Sequence, residues 1–154
     1  MAKLITAVVC QRALIDGPSN LVSYIDVFDG INVPRFPFTV PTLVVASIWQ
    51  REEEDSLSFR VRVSAPSGDI VAEAQAGPLV YTKGHRRARL HCRVPAFEAT
   101  DPGLYSFELL LLNRGDWKHV HSTTLDLTHQ SVEEDEPRPL PSLTKRKGLR
   151  GAAR

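Results

Sequence analysis

The sequence predicts an all-β chain, two antiparallel sheets packed face to face from about eight short strands, followed by a disordered C-terminal tail. Three observations carry this reading. Apolar residues recur with period two, most cleanly where Leu57, Phe59, Val61 and Val63 alternate with Ser58, Arg60, Arg62 and Ser64; this is the pattern of a strand with one buried face. Turn signals such as Asp16-Gly17-Pro18-Ser19-Asn20, Pro66-Ser67-Gly68-Asp69 and Asn113-Arg114-Gly115-Asp116 punctuate these segments at sandwich-like intervals, and nothing between them has helical periodicity. From Thr128 onward the alternation stops.

In order along the chain, Leu4 to Cys10 reads as a first strand, apolar on both faces, and Gln11 to Asn20 contains the dense turn signal Asp16 to Asn20. Leu21, Ser23, Ile25 and Val27 alternate with Val22, Tyr24, Asp26 and Phe28 as a second strand, partnered with the first as a hairpin. Residues 31–41 hold Pro34, Pro37 and Pro41 with Phe36 and Phe38 between them. A central strand does not tolerate that proline density, so the segment reads as an extended crossover whose aromatics pin it over the end of the sandwich.

Thr42 to Gln50 is the third strand, with Leu43, Val45, Ser47 and Trp49 on one face and Val44, Ala46 and Ile48 on the other. Leu57 to Ser64 is the fourth. Ile70 to Ala76 is the fifth, burying Ile70, Ala72, Ala74 and Ala76, and Arg86 to Val94 the sixth, burying Ala88, Leu90, Cys92 and Val94. Asp101-Pro102-Gly103 is turn chemistry that delivers the chain into Leu104 to Leu112, where Tyr105, Phe107, Leu109 and Leu111 share one apolar face. Trp117 to Leu127 completes the set. A Tyr entering a late strand with a core residue two positions on resembles the tyrosine corner of immunoglobulin-like domains, with Phe107 where antibody domains have Cys. The expected fold is therefore an immunoglobulin-like β-sandwich without the inter-sheet disulfide.

The 154 residues allow one domain over 1–130 and a tail over 131–154, and a net charge of +1 gives no overall steering toward nucleic acid or membrane. The tail holds 6 of the 19 Lys/Arg and 4 of the 18 Asp/Glu, as the acidic block Glu133 to Glu136 and then Lys145, Arg146 and Lys147. Too few apolar groups remain there to offset the entropy of ordering. The apolar run before Cys10 is too short for a signal peptide, and no segment is long and apolar enough to span a bilayer. A cytoplasmic protein with reduced Cys10 and Cys92 and no membrane contact is expected.

Motifs for catalysis are missing. His119 and His121, two apart on one strand, share a face on this reading, and a neighbouring strand would add His91 or Cys92 as a further metal ligand, but no Cys-x-x-Cys or His-Glu-x-x-His spacing supports such a site. No Gly-x-Ser-x-Gly elbow or phosphate-cradling glycine loop occurs, so neither an enzyme nor a cofactor is expected. Two features suggest surfaces instead. Arg60 and Arg62 form one outward basic row and Arg87, Arg89 and Arg93 another; together with Lys145, Arg146 and Lys147 they would meet phosphates or an acidic partner, or else blunt the sheet edges. The second feature is an apolar surplus. Val44, Ala46, Ile48, Leu110 and Leu112 face outward, and side by side they would make a patch that monomers rarely leave uncovered. Its cover is the Pro/Phe crossover, the tail, or a second protein chain. The expected function is a non-enzymatic protein-interaction or assembly module, binding a partner protein or a second copy of itself; the alternative is weak nucleic-acid or acidic-partner binding through the arginine rows.

Val9-Cys10-Gln11-Arg12-Ala13 with Asp16, Asn20-Leu21 through Ile25, Val27 and Phe28, the Pro/Phe segment to Pro41, Ala65-Pro66-Ser67-Gly68, and Gly103-Leu104-Tyr105-Ser106-Phe107 carry a further likeness. Over Cys10 to about Leu127 the chain resembles a family of small bacterial proteins with no assigned function. The resemblance implies an immunoglobulin-like sandwich and brings no activity with it.

Overall fold

The computed structural model describes residues 2–50, 56–79, 84 and 86–130. The acidic run Glu52 to Asp55 and the tail with Lys145, Arg146 and Lys147 lie outside the described residues. Every regular element among the described residues is a strand: β1 (Lys3–Ile15), β2 (Val22–Val27), β3 (Gly30–Val33), β4 (Phe38–Val40), β5 (Leu43–Gln50), β6 (Leu57–Ser64), β7 (Ile70–Leu79), β8 (Arg87–Val94), β9 (Phe97–Ala99), β10 (Gly103–Asn113) and β11 (Asp116–His129). They form a four-stranded sheet in the order β2-β1-β5-β8, a five-stranded sheet in the order β3-β11-β10-β6-β7, and a small β4-β9 ladder. No helix among them is long and apolar enough to cross a membrane.

The two large sheets meet across one core. Val9, Leu43, Val45, Trp49, Leu90 and Cys92 come from the four-stranded sheet, and Phe59, Val61, Tyr105, Phe107, Leu109 and Leu125 face them from the other. Trp49 and Phe59 meet across the interface with ring centroids 6.4 Å apart. The one polar side chain at the heart of it, Ser47, is fully satisfied: it accepts from Trp49 Nε1 at 2.8 Å and donates to the Leu90 carbonyl at 3.2 Å. Period two thus identifies the inward residues of β5, β6, β8 and β10 correctly.

Three sequence expectations need correction. The first strand does not end at Cys10: β1 continues to Ile15, pairing Arg12 with Ile25 and Ile15 with Val22. The crossover at 31–41 contains two short strands, because its prolines bound strands instead of interrupting them. β3 ends at Val33, immediately before Pro34, and β4 fills the gap between Pro37 and Pro41. β3 pairs with β11 in parallel, so the sheets are not wholly antiparallel, and β4 pairs with β9, a strand the sequence pattern does not reveal. Phe36 and Phe38 do pack against the core, as expected. Third, Ile70 is exposed, since a register slip between Val63 and Ser64 sets it opposite Ser64 at the end of the ladder, while Ala72 and Ala74 stay opposite Val63 and Val61.

The corner before β10 is fixed by Tyr105, whose hydroxyl donates to the Asp101 carbonyl at 2.9 Å while its ring lies against Phe97 at 5.9 Å. Two substitutions separate these contributions. Tyr105→Phe deletes a single hydrogen bond and is expected to cost about 1 kcal/mol, whereas Phe107→Ala opens the fully buried core and should cost about 3–5 kcal/mol. Denaturant unfolding of both variants checks the ordering.

Candidate functional site

The residues singled out as an apolar patch are not brought together. Val44, Ala46 and Ile48 lie on β5 in the four-stranded sheet, and Leu110 and Leu112 on β10 in the five-stranded sheet, so the two groups occupy opposite outer faces of the molecule. Alternation tells which residues of a strand share a face; it does not tell which strands are neighbours.

On the β5 side the cover is one the sequence did not suggest. Cys10 pairs with Val44 at one end of β5, yet Asn20, at the tip of the β1–β2 hairpin, accepts from Arg89 Nη1 through its carbonyl at 2.8 Å and its Oδ1 at 2.9 Å. Arg89 pairs with Ile48, toward the other end of β5. The hairpin therefore folds back across the outer face as an arm. Tyr24 on the arm meets His91 of β8 edge-on, ring centroids 6.4 Å apart. Asp26, between the pairs Cys10–Val27 and Arg12–Ile25, has φ 51°, a left-handed conformation that breaks the regular run of a strand. Beneath the arm Ala46 and Cys10 are buried, and Val44 and Ile48 are half-buried. Burial raises the Cys10 and Tyr24 pKa values and lowers that of His91.

On the β10 side the cover is made of side chains. Arg60 of β6 pairs with Leu110, and its guanidinium carbon stands 4.4 Å from the centroid of the Trp117 ring on β11. Since β10 lies between those two strands, the stack bridges its outer face, and Leu110 is buried while Leu112 is only partly shielded. Glu73 on β7 holds Arg60 Nη1 and Arg62 Nε at 3.4 Å each.

The arginine rows separate in the same way. Arg60 and Arg62 belong to the outer face of one sheet and are shared by Glu73, whereas Arg87, Arg89 and Arg93 belong to the outer face of the other, where Arg89 is committed to Asn20 and Arg87 and Arg93 are exposed. They do not form one basic surface.

His119 and His121 do not share a face. A bulge places His121 opposite Leu109 and His119 opposite Leu110, consecutive residues of opposite orientation, with Val120 as the extra residue between them. His119 instead contacts Ser122 Oγ at 2.8 Å. Cys10 and Cys92 are likewise separated, since Cys10 pairs with outward Val44 and Cys92 with inward Val45; both are free thiols, and burial lifts the Cys92 pKa to about 11. Among the described residues no group of three or more His, Cys, Asp or Glu stands together as a metal site.

The exposed apolar residues lie elsewhere. Leu14, Ile15, Leu21, Ile25 and Val27 are 52%, 53%, 67%, 37% and 55% exposed, and all five belong to the arm. Period two did pick out Leu21, Ile25 and Val27, but it assigned them to a half-buried strand; only the fold-back shows which side stays open. β2 is also an edge strand of its sheet, with one row of backbone N–H and C=O groups unpaired by a neighbouring strand. A cleft of about 540 Å³ at the β10–β11 turn is lined by Ser56, Ser58, Leu112, Arg114 and Lys118 among others.

A family model described as a family of unknown function, DUF6941, matches residues 5–125. No curated protein and no solved structure matches the chain.

The Arg60–Trp117 stack should matter more to stability than the ion pairs that flank it. Trp117→Ala removes the stack and uncovers Leu110, and is expected to cost about 1–2 kcal/mol; Glu73→Gln, which breaks partly exposed pairs, should cost less than about 1 kcal/mol. Thermal or denaturant melts rank the two, and an equal loss would deny the stack its role.

Proposed function

The chain belongs to that family of unknown function, and we propose that it is a non-enzymatic protein-interaction module whose contact surface is the β1–β2 arm. One observation carries the reading. Of the nine large apolar residues that are exposed among the described residues, five sit on this one hairpin, and apolar exposure concentrated on one element marks an interaction surface more often than single scattered residues do. The edge position of β2 adds unpaired backbone groups to the same surface, so a partner in extended conformation gains main-chain hydrogen bonds as well as apolar contact. A second copy of the chain qualifies, because it brings an identical edge.

The groups with shifted pKa values are Cys10, Tyr24, His91, Cys92 and Tyr105, where burial is the leading cause, and Asp16, where hydrogen bonds from Ser19 within a turn are. The free thiols on opposite faces of one sheet fit a reducing compartment, and we place the protein in the cytoplasm on that ground. The Tyr105 corner supports assigning the sandwich to the immunoglobulin-like group.

Analytical ultracentrifugation of the full chain tests the assembly form. The unmodified chain is expected to associate in a concentration-dependent way, and Leu14→Lys with Leu21→Lys to leave it monomeric with unchanged circular dichroism; Leu112→Lys, on the opposite face, should have no effect. A chain that stays monomeric at all concentrations rules out self-assembly. An arm variant that still captures every protein bound by the unmodified chain removes the arm as the contact surface altogether.

A further inference from the structure

The imidazole under the arm has one nitrogen with no hydrogen-bond partner among the described residues. His91 Nε2 is buried without a hydrogen bond, and so is the hydroxyl of Tyr24, whose ring packs edge-on against it. The groups around His91 come from every element that touches this face. Tyr24 comes from β2, Cys10 from β1 and only the apolar Val44, Ala46 and Ile48 from β5, while Arg89 and Arg93 lie two positions either side of it on its own strand. Arg89 is turned to Asn20, and Asp16, the carboxylate nearest the tip, is turned to Ser19 and accepts from its amide at 3.0 Å and from its hydroxyl. A cation at this half-buried His91 would therefore sit with its Nε2 out of water and beside another cation, with no anion among the described residues to balance it.

We propose that His91 is an acid-sensitive latch for the β1–β2 arm: the arm lies across β5 while the imidazole is neutral, and protonation releases it. Lifting the arm hydrates the imidazolium and uncovers Cys10, Val44 and Ala46. Burial first, and then Arg89, hold the docked imidazole below its ordinary pKa. The lifted arm restores that ordinary value, so docking is at full strength above it and weakens as pH falls beneath it. Asp16, whose pKa is lowered by its Ser19 hydrogen bonds, titrates below this window and leaves the hairpin tip intact within it.

Cys10 reports the latch directly, because it is fully buried beneath the arm, and Cys92, buried in the main core, reports global unfolding. Each thiol in the full chain is labelled with a disulfide reagent at roughly pH 7.5 and pH 5, on either side of the imidazole range. Each rate is divided by that of the denaturant-unfolded chain at the same pH, with the sites separated by peptide mass. Protection of Cys10 is expected to fall by up to about tenfold per pH unit below the ordinary imidazole value, with Cys92 unchanged, and the fall should vanish in His91→Gln. Constant Cys10 protection overturns the proposal. So does a parallel loss at Cys92, or a fall that persists in both His91→Gln and His91→Phe. Should neither variant fold, the comparison of the two thiols in the unmodified chain decides alone.

Discussion

Strand β5 is apolar on both faces, and the need to bury both organises the rest of the molecule. Its inner residues Leu43, Val45 and Trp49 face Phe59, Val61 and Leu109 across the core. Its outer residues Val44, Ala46 and Ile48 need a second cover on the opposite side. Burying a side chain of this size contributes roughly 1.5–3 kcal/mol, and a domain has only about 5–15 kcal/mol of net stability. Leaving the outer face wet would forfeit a sizeable part of that. A sandwich offers one inner face per sheet, so the second cover has to come from outside the two-layer plan, and the β1–β2 hairpin provides it by folding back.

Much of the plan was legible in the sequence. The inward sets of β5, β6, β8 and β10 follow from period two alone, and the corner from Asp101, Pro102, Gly103 and Tyr105. What was not legible is non-local. Val44 and Leu110 look equivalent as outward apolar residues, but their strands belong to different sheets, and strand order is set by pairing between segments far apart in sequence. The arm was hidden for the same reason: the turn signal of Asp16 to Asn20 marks the tip, while the pairing of Arg12 with Ile25 and Ile15 with Val22 carries the ladder past Cys10 up to it. His119 and His121 show a different limit. A single inserted residue, Val120, reverses the face of everything beyond it, and no side-chain pattern near it announces a bulge.

The two outer faces solve the same problem with different materials. Over β10 the protein uses long side chains, laying Arg60 against Trp117 and tethering the guanidinium to Glu73. That device adds no new backbone, buries Leu110, and ends in charged groups at the surface. Over β5 it uses a pair of strands. A hairpin covers more area, but it has surface of its own, and Leu14, Ile15, Leu21, Ile25 and Val27 stay exposed on it. The apolar surplus of β5 has been moved outward by one layer, not eliminated.

The edges of the four-stranded sheet sharpen the point. At one edge β8 presents Arg87 and Arg93 to solvent, the charged blunting by which natural sheets discourage further pairing. At the other edge β2 offers Ile25 and Val27 with Asp26 as its only charge, next to exposed Leu21. One sheet thus has a guarded edge and an open one. If an exposed apolar edge were merely the residue of covering β5, the guarding applied to β8 would serve equally well on β2, since lysine or arginine at Ile25 or Val27 would leave the packing of Tyr24 on His91 untouched. The asymmetry follows naturally if the open edge is where another strand belongs.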